Sequence, residues 1–146
     1  MSRVVDVAVE GVRIPVSRAR VAAVADGVLH AERVRDARLS IAFVTTRRIA
    51  ALNRTHLRHA GATDVISFGF APVDATGDVV GDIYIAPDVA RRNARTAGES
   101  VREELLRLVV HGVLHVLGHD HPEDDSRYTS PMWERQERLL RSLARS

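Results

Sequence analysis

The stretch from Ser100 to His121 constrains the fold more than any other part of the chain. Ser100-Val101-Arg102-Glu103 has the form of a capping box, in which a hydroxyl and a carboxylate satisfy orphan N–H groups at a helix start. Apolar residues follow at Val101, Leu105, Leu108, Val109, Val113, Val116 and Leu117, which predicts a largely buried helix closed by Gly118. Into this apolar helix the sequence inserts His111 and His115, and shortly after the glycine it adds His121. Residues i and i+4 project from one helix face, about 6 Å apart along the axis, so both rings can reach one ion at bond lengths of roughly 2.0–2.1 Å. A continuing helix would carry His121 about 15 Å from His111. Gly118 removes that obstacle, because glycine enters the left-handed conformation at no steric cost and lets the chain turn back. Three neutral imidazoles with an open fourth position describe a catalytic zinc site, one ion per chain, rather than a closed structural one. Ligand type and usual availability favour zinc, although imidazoles also accept nickel and copper.

The other 124 or so residues read as an α+β domain. Val5, Val7 and Val9 alternate with Asp6 and Ala8 as in a strand, and Ser17 caps a helix carrying Val21, Val24, Ala25 and Leu29. Leu39–Val44 is a strand, and Thr46 is expected to cap a helix reaching about Leu57. Asp64–Phe68 is a third strand, residues 71–80 a polar loop, and Asp82–Ile85 a fourth strand. Pro87 opens a helix that Gly98 closes, and Ser130-Pro131 starts a last one with Met132, Gln136, Leu139, Leu140 and Leu143 on one face. The expected architecture is a small mixed sheet of about four strands with about five helices, and a zincin-like metal site on the buried helix. At 146 residues and 45% apolar, one domain over 1–146 is expected.

Composition narrows the chemistry. There are no cysteines, which excludes disulfides, thiolate metal sites and a cysteine nucleophile. No apolar run marks a signal peptide or a membrane span, so a cytoplasmic location without membrane contact is expected. All 21 basic residues are arginine, and the pI is about 9.9. Between Leu39 and Thr63 there is no acidic residue, while Arg47, Arg48, Arg54 and Arg58 are present with His56 and His59. Such a segment attracts phosphates without regard to sequence. Taken alone, it reads more readily as a solvated helix face. Aromatics are only 4%, which argues against an extended base-stacking platform.

The spacing His-x-x-x-His-x-x-Gly-x-x-His is shared with the metzincin zinc peptidases, and Met132 lies downstream as their methionine turn does. Those enzymes carry a general-base Glu directly after the first His, where this chain has Gly112. The metal scaffold is shared, and peptide hydrolysis is disfavoured.

A longer run resembles a different family. His111-Gly112-Val113-Leu114-His115-Val116-Leu117-Gly118-His119-Asp120-His121 resembles the signature His-Gly-x-Leu-His-Leu-x-Gly-Tyr-Asp-His of the YbeY-type single-strand-specific endoribonucleases, departing at Val116 and His119. Ala62–Phe68 and Gly81-Asp82-Ile83 are similar to two further family segments, in the same order. The resemblance implies a zinc-dependent hydrolase of RNA phosphodiesters, acting in rRNA maturation and ribosome quality control. Its implied partners are rRNA, the ribosomal small subunit and ribosome-associated proteins. It also implies His111, His115 and His121 as metal ligands. The family's RNA-contacting Arg falls on Leu57, and the nearest guanidinium is Arg58. One residue is about 100° of helix rotation, so Arg58 substitutes only if the chain has left the helix by then. Asp120 is a candidate to orient a ligand imidazole, or is a loop carboxylate. The sequence leaves open whether water or the RNA's own 2′-OH attacks phosphorus. The competing function is a non-catalytic, zinc-stabilised rRNA-binding assembly factor.

Overall fold

The computed structural model describes residues 2–56, 61–70, 78–120 and 128–144. Within them, four strands and five helices follow the expected order: β1 (Arg3–Val9), α1 (Arg18–Ala31), β2 (Ala37–Phe43), α2 (Thr46–His56), β3 (Val65–Phe70), β4 (Val79–Ile85), α3 (Pro87–Ala97), α4 (Val101–Val116) and α5 (Pro131–Leu143). The sheet is mixed, in the order β1-β2-β4-β3; β1, β2 and β4 run parallel and β3 pairs antiparallel with β4.

Strand alternation assigns the two faces. Leu39, Ile41 and Phe43 of β2 and Ile83 and Ile85 of β4 enter the main core, joined by Val5, Val7 and Val9 of β1. Helices α1, α4 and α5 pack on that side and on one another. The opposite face is capped at one end by Ile49 and Leu52 of α2, which meet Ala42, Val44 and Ile66 in a smaller cluster. Each fully buried Leu or Ile contributes roughly 1.5–3 kcal/mol relative to an exposed one, so this packing outweighs any single surface contact.

Helix α4 is the central element. Residues Glu104–Val110 and Gly112–Leu114 are all buried, because the sheet, α1, α3 and α5 surround it. A helix with apolar residues over most of its circumference belongs in such a position. Ser100 caps it as expected, its hydroxyl accepting from the N–H of Glu103 at 3.0 Å.

Several element ends shift by one to three residues from expectation, β2 beginning at Ala37 and β3 reaching Phe70, and two of the differences have a plain cause. The cap of α2 is Thr45, whose Oγ1 accepts from the N–H of Arg48 at 3.1 Å, and Thr46 is the first helical residue. Adjacent threonines offer the same chemistry, and only the backbone path selects between them. Strand β4 begins at Val79, inside the expected loop, with Gly81 buried and paired to Leu39. The Gly77-Asp78 turn signal masks the apolar pair that follows it. A Cβ at Gly81 would lie 2.5 Å from Val116, so glycine here admits α4 onto the sheet.

Candidate metal and RNA site

His111 and His115 sit one turn apart on α4, both half-buried, their ring centroids 4.6 Å apart and inclined at 73°. Nδ1 of His111 lies 2.6 Å from Oε1 of Gln136, a side chain on α5 that is only 1% exposed. The sequence had marked Gln136 only as part of an apolar stripe. A lone amide among Met132, Leu139 and Leu140 was the available signal, since a buried amide needs a partner. Met132 is buried in the core, consistent with a packing role near the site.

Gly112 owes its identity to the sheet. A Cβ there would stand 2.7 Å from Cγ2 of Ile83, a side chain 1% exposed. The position that bears the peptidase carboxylate therefore faces β4 in this fold, and no side chain fits it.

The helix ends as the histidine spacing requires. Leu117 is the cap and Gly118 follows at φ +98°. The N–H of Gly118 donates to the carbonyl of His115 at 2.9 Å and that of His119 to Leu114 at 3.0 Å, the paired bonds of a Schellman stop. His119, where the chain departs from the family signature, is half-buried with Nε2 2.8 Å from Oε1 of Glu32, a carboxylate that also pairs with Arg135 at 3.1 Å. Asp120 is exposed. His121 and Arg58 lie outside the described residues, as does the acidic run Glu123, Asp124 and Asp125. Among the described residues, no three His, Cys, Asp or Glu side chains are grouped so as to hold a metal ion.

The donor set nevertheless fits a divalent ion. Two imidazoles share one helix face, one of them has its Nδ1 engaged by a side-chain oxygen, and the glycine reversal follows directly. Engagement of one ring nitrogen is the arrangement metal-ligating histidines usually show.

A cavity of about 520 Å³ adjoins His111, lined in part by Asp64, Glu99, Glu104, Glu137 and Arg107. Arg107 is the hub: its guanidinium contacts Glu99, Glu104 at 2.9 Å and Glu137 at 3.0 Å, with Glu103 at 3.6 Å. Burial works against its charge, but these partners together outweigh it and raise its already high pKa. Burial pushes the Glu104 carboxyl above the usual carboxylate range, against the opposing pull of Arg107. With four carboxylates to one guanidinium, this lobe disfavours phosphate.

A stretch of exposed basic residues without carboxylates lies on α2. Arg47, Arg48, Arg54 and His56 are exposed on α2, and Arg92 and Arg95 on α3. Arg91 is committed to structure, donating to Asp88 at 2.7 Å and to the carbonyl of Arg13 at 2.9 Å. Ser67 and Asp82, which belong to the two segments similar to the family's, fall on opposite faces of the sheet: Ser67 pairs with Ile83 and Asp82 with Phe68. They cannot line one cleft together.

Comparison with known proteins shows the family. Residues 8–144 match the family model described as Endoribonuclease YbeY. A protein of that name from Beutenbergia cavernae is 39% identical over 135 residues, covering 87% of this chain and 89% of that protein. One from Frankia casuarinae is 38% identical, covering 87% and 68%. One from Anaeromyxobacter dehalogenans is 48% identical over a shorter match, 59% of this chain and 45% of that protein. The solution structure of TM1509 from Thermotoga maritima superposes with a TM-score of 0.61 at 24% identity, covering 95% of this chain and 88% of that one. The chain belongs to the YbeY family. Among the described residues, no helix is long and apolar enough to cross a membrane.

Proposed function

We propose that this chain, as one domain, is a zinc-dependent endoribonuclease that cuts single-stranded RNA in rRNA maturation and ribosome quality control. Its setting would be the cytoplasm, with the ribosomal small subunit and associated proteins as partners. The observation that carries this reading is the pair His111 and His115 on one face of a buried helix that ends in a glycine reversal. Relatives named Endoribonuclease YbeY support the reaction class.

In this reading His111, His115 and His121 hold one zinc per chain as neutral donors. Bound zinc supplies a Lewis acid beside the scissile phosphodiester. Arg58 stabilises charge developing on the phosphoryl oxygens, and Asp120 orients a ligand imidazole. Arg47, Arg48 and Arg54 neutralise backbone phosphates, so RNA approaches from the α2 side, away from the carboxylate lobe around Arg107. Binding is then steeply salt-dependent and tolerant of base identity.

The test compares wild type with His115→Ala on single-stranded and duplex RNA. Wild type is expected to cut the single strand preferentially. The variant is expected to lose cleavage while keeping its circular dichroism spectrum and its RNA affinity. A wild-type protein that binds RNA and cuts nothing would favour the non-catalytic assembly factor instead.

A further inference from the structure

Gln136 does more than fill the stripe on α5. Arg107 has only donors, and its Nε and Nη2 grip Glu137 at 3.0 and 3.2 Å, so both oxygens of that carboxylate accept and its position is fixed. The same Oε2 of Glu137 lies 3.0 Å from Nε2 of Gln136. A carboxylate only accepts, so the amide nitrogen must face Glu137 and the amide oxygen must face His111. That oxygen, 2.6 Å from Nδ1 of His111, accepts in turn, so Nδ1 carries the proton. An imidazole protonated at Nδ1 keeps its lone pair at Nε2. Each link has one permitted direction, and the chain of links starts from a guanidinium that stays charged.

We infer that Gln136 is a positioning residue that locks His111 in the Nδ1–H tautomer and so presents Nε2 for coordination, with Arg107 and Glu137 setting the amide's orientation. Glu104 and Glu99 complete the anchor by holding Arg107 from its other side, Glu104 at 2.9 Å. The inference rests on the metal-site reading only for its consequence. The tautomer itself is a property of the chain alone.

The experiment records long-range ¹H–¹⁵N spectra of the histidine rings in chelator-treated and zinc-loaded protein, with His111 assigned by comparison with His111→Ala. Wild type is expected to show His111 protonated at Nδ1 in both states. In Gln136→Met, a side chain of similar volume with no amide, metal-free His111 is expected to populate the Nε2–H form. Zinc affinity, measured by competition with a chromophoric chelator, is expected to fall about 10–100-fold. Should Gln136→Met fail to fold, Glu137→Gln decides, because a second amide lets Gln136 flip. An Nε2–H population at His111 then supports the inference, and an unchanged spectrum overturns it. A wild-type His111 protonated at Nε2 overturns it outright, as does a folded Gln136→Met with wild-type tautomer and zinc affinity. A wild type that binds no zinc defeats the metal-site reading, while the metal-free spectra still decide the tautomer lock.

Discussion

Gly112 shows how one residue carries two meanings. In the sequence it marks the absence of a peptidase base, and in the fold it is the contact point between α4 and Ile83. The second meaning supplies the reason for the first, and it was invisible because the sequence does not say which strand lies beneath the helix. Alanine in a helix interior normally gains about 1 kcal/mol over glycine. Here the Cβ meets a buried, immobile side chain, and overpacking costs about 1–3 kcal/mol. Gly112→Ala is therefore expected to lower stability in denaturant titrations, and Ile83→Ala in the same chain to relieve part of that loss. A stabilised Gly112→Ala would refute the contact. Glu104 offers a second check. Its raised pKa means that the folded chain keeps a proton that the unfolded chain releases. That contribution is fully present below the ordinary value of 4.5 and is lost as pH rises through the folded-state value. Glu104→Gln is expected to flatten the fall in unfolding free energy above that pH, and parallel curves for the two proteins would contradict it.

At the scale of elements, termini were easier to read than contacts. Ser17, Ser100 and Ser130 all cap as their positions suggest, each hydroxyl accepting an N–H three residues on. Helices α3 and α4 both stop at left-handed glycines, Gly98 and Gly118. Helix α1 makes the same stop with Arg33 at φ +62°, which no sequence rule signals. These features are local, so the sequence displays them. The start of β4 and the role of Gln136 depend on partners distant in the chain, so it does not. Helix α5 matters because it holds Gln136 against His111, and Ser130 fixes its first turn through the N–H of Trp133 at 3.2 Å. Ser130→Ala is expected to cost about 1 kcal/mol in thermal or chemical unfolding. A loss below a few tenths would show that packing alone holds the helix start.

Among the described residues, charge is unevenly spread. Carboxylates gather around Arg107 beside His111, while α2 exposes Arg47, Arg48 and Arg54 and carries no carboxylate. The sequence displays the basic segment because it is contiguous. The acidic lobe is assembled from Asp64, Glu99, Glu104 and Glu137, which only the fold brings together. The histidine pair was legible because helical periodicity alone places both rings on one face. The third histidine needs a chain reversal, and the structure supplies its first half in the Schellman stop at Gly118. Zinc titration of wild type against His121→Ala tests that claim most directly. Loss of a ligand's hydrogen-bond partner already costs about 10–100-fold in affinity, and loss of a ligand is expected to exceed that. The account predicts one zinc per wild-type chain and binding weakened beyond that range in the variant. A wild type that takes up no zinc, or a variant that binds it as tightly, would contradict the account.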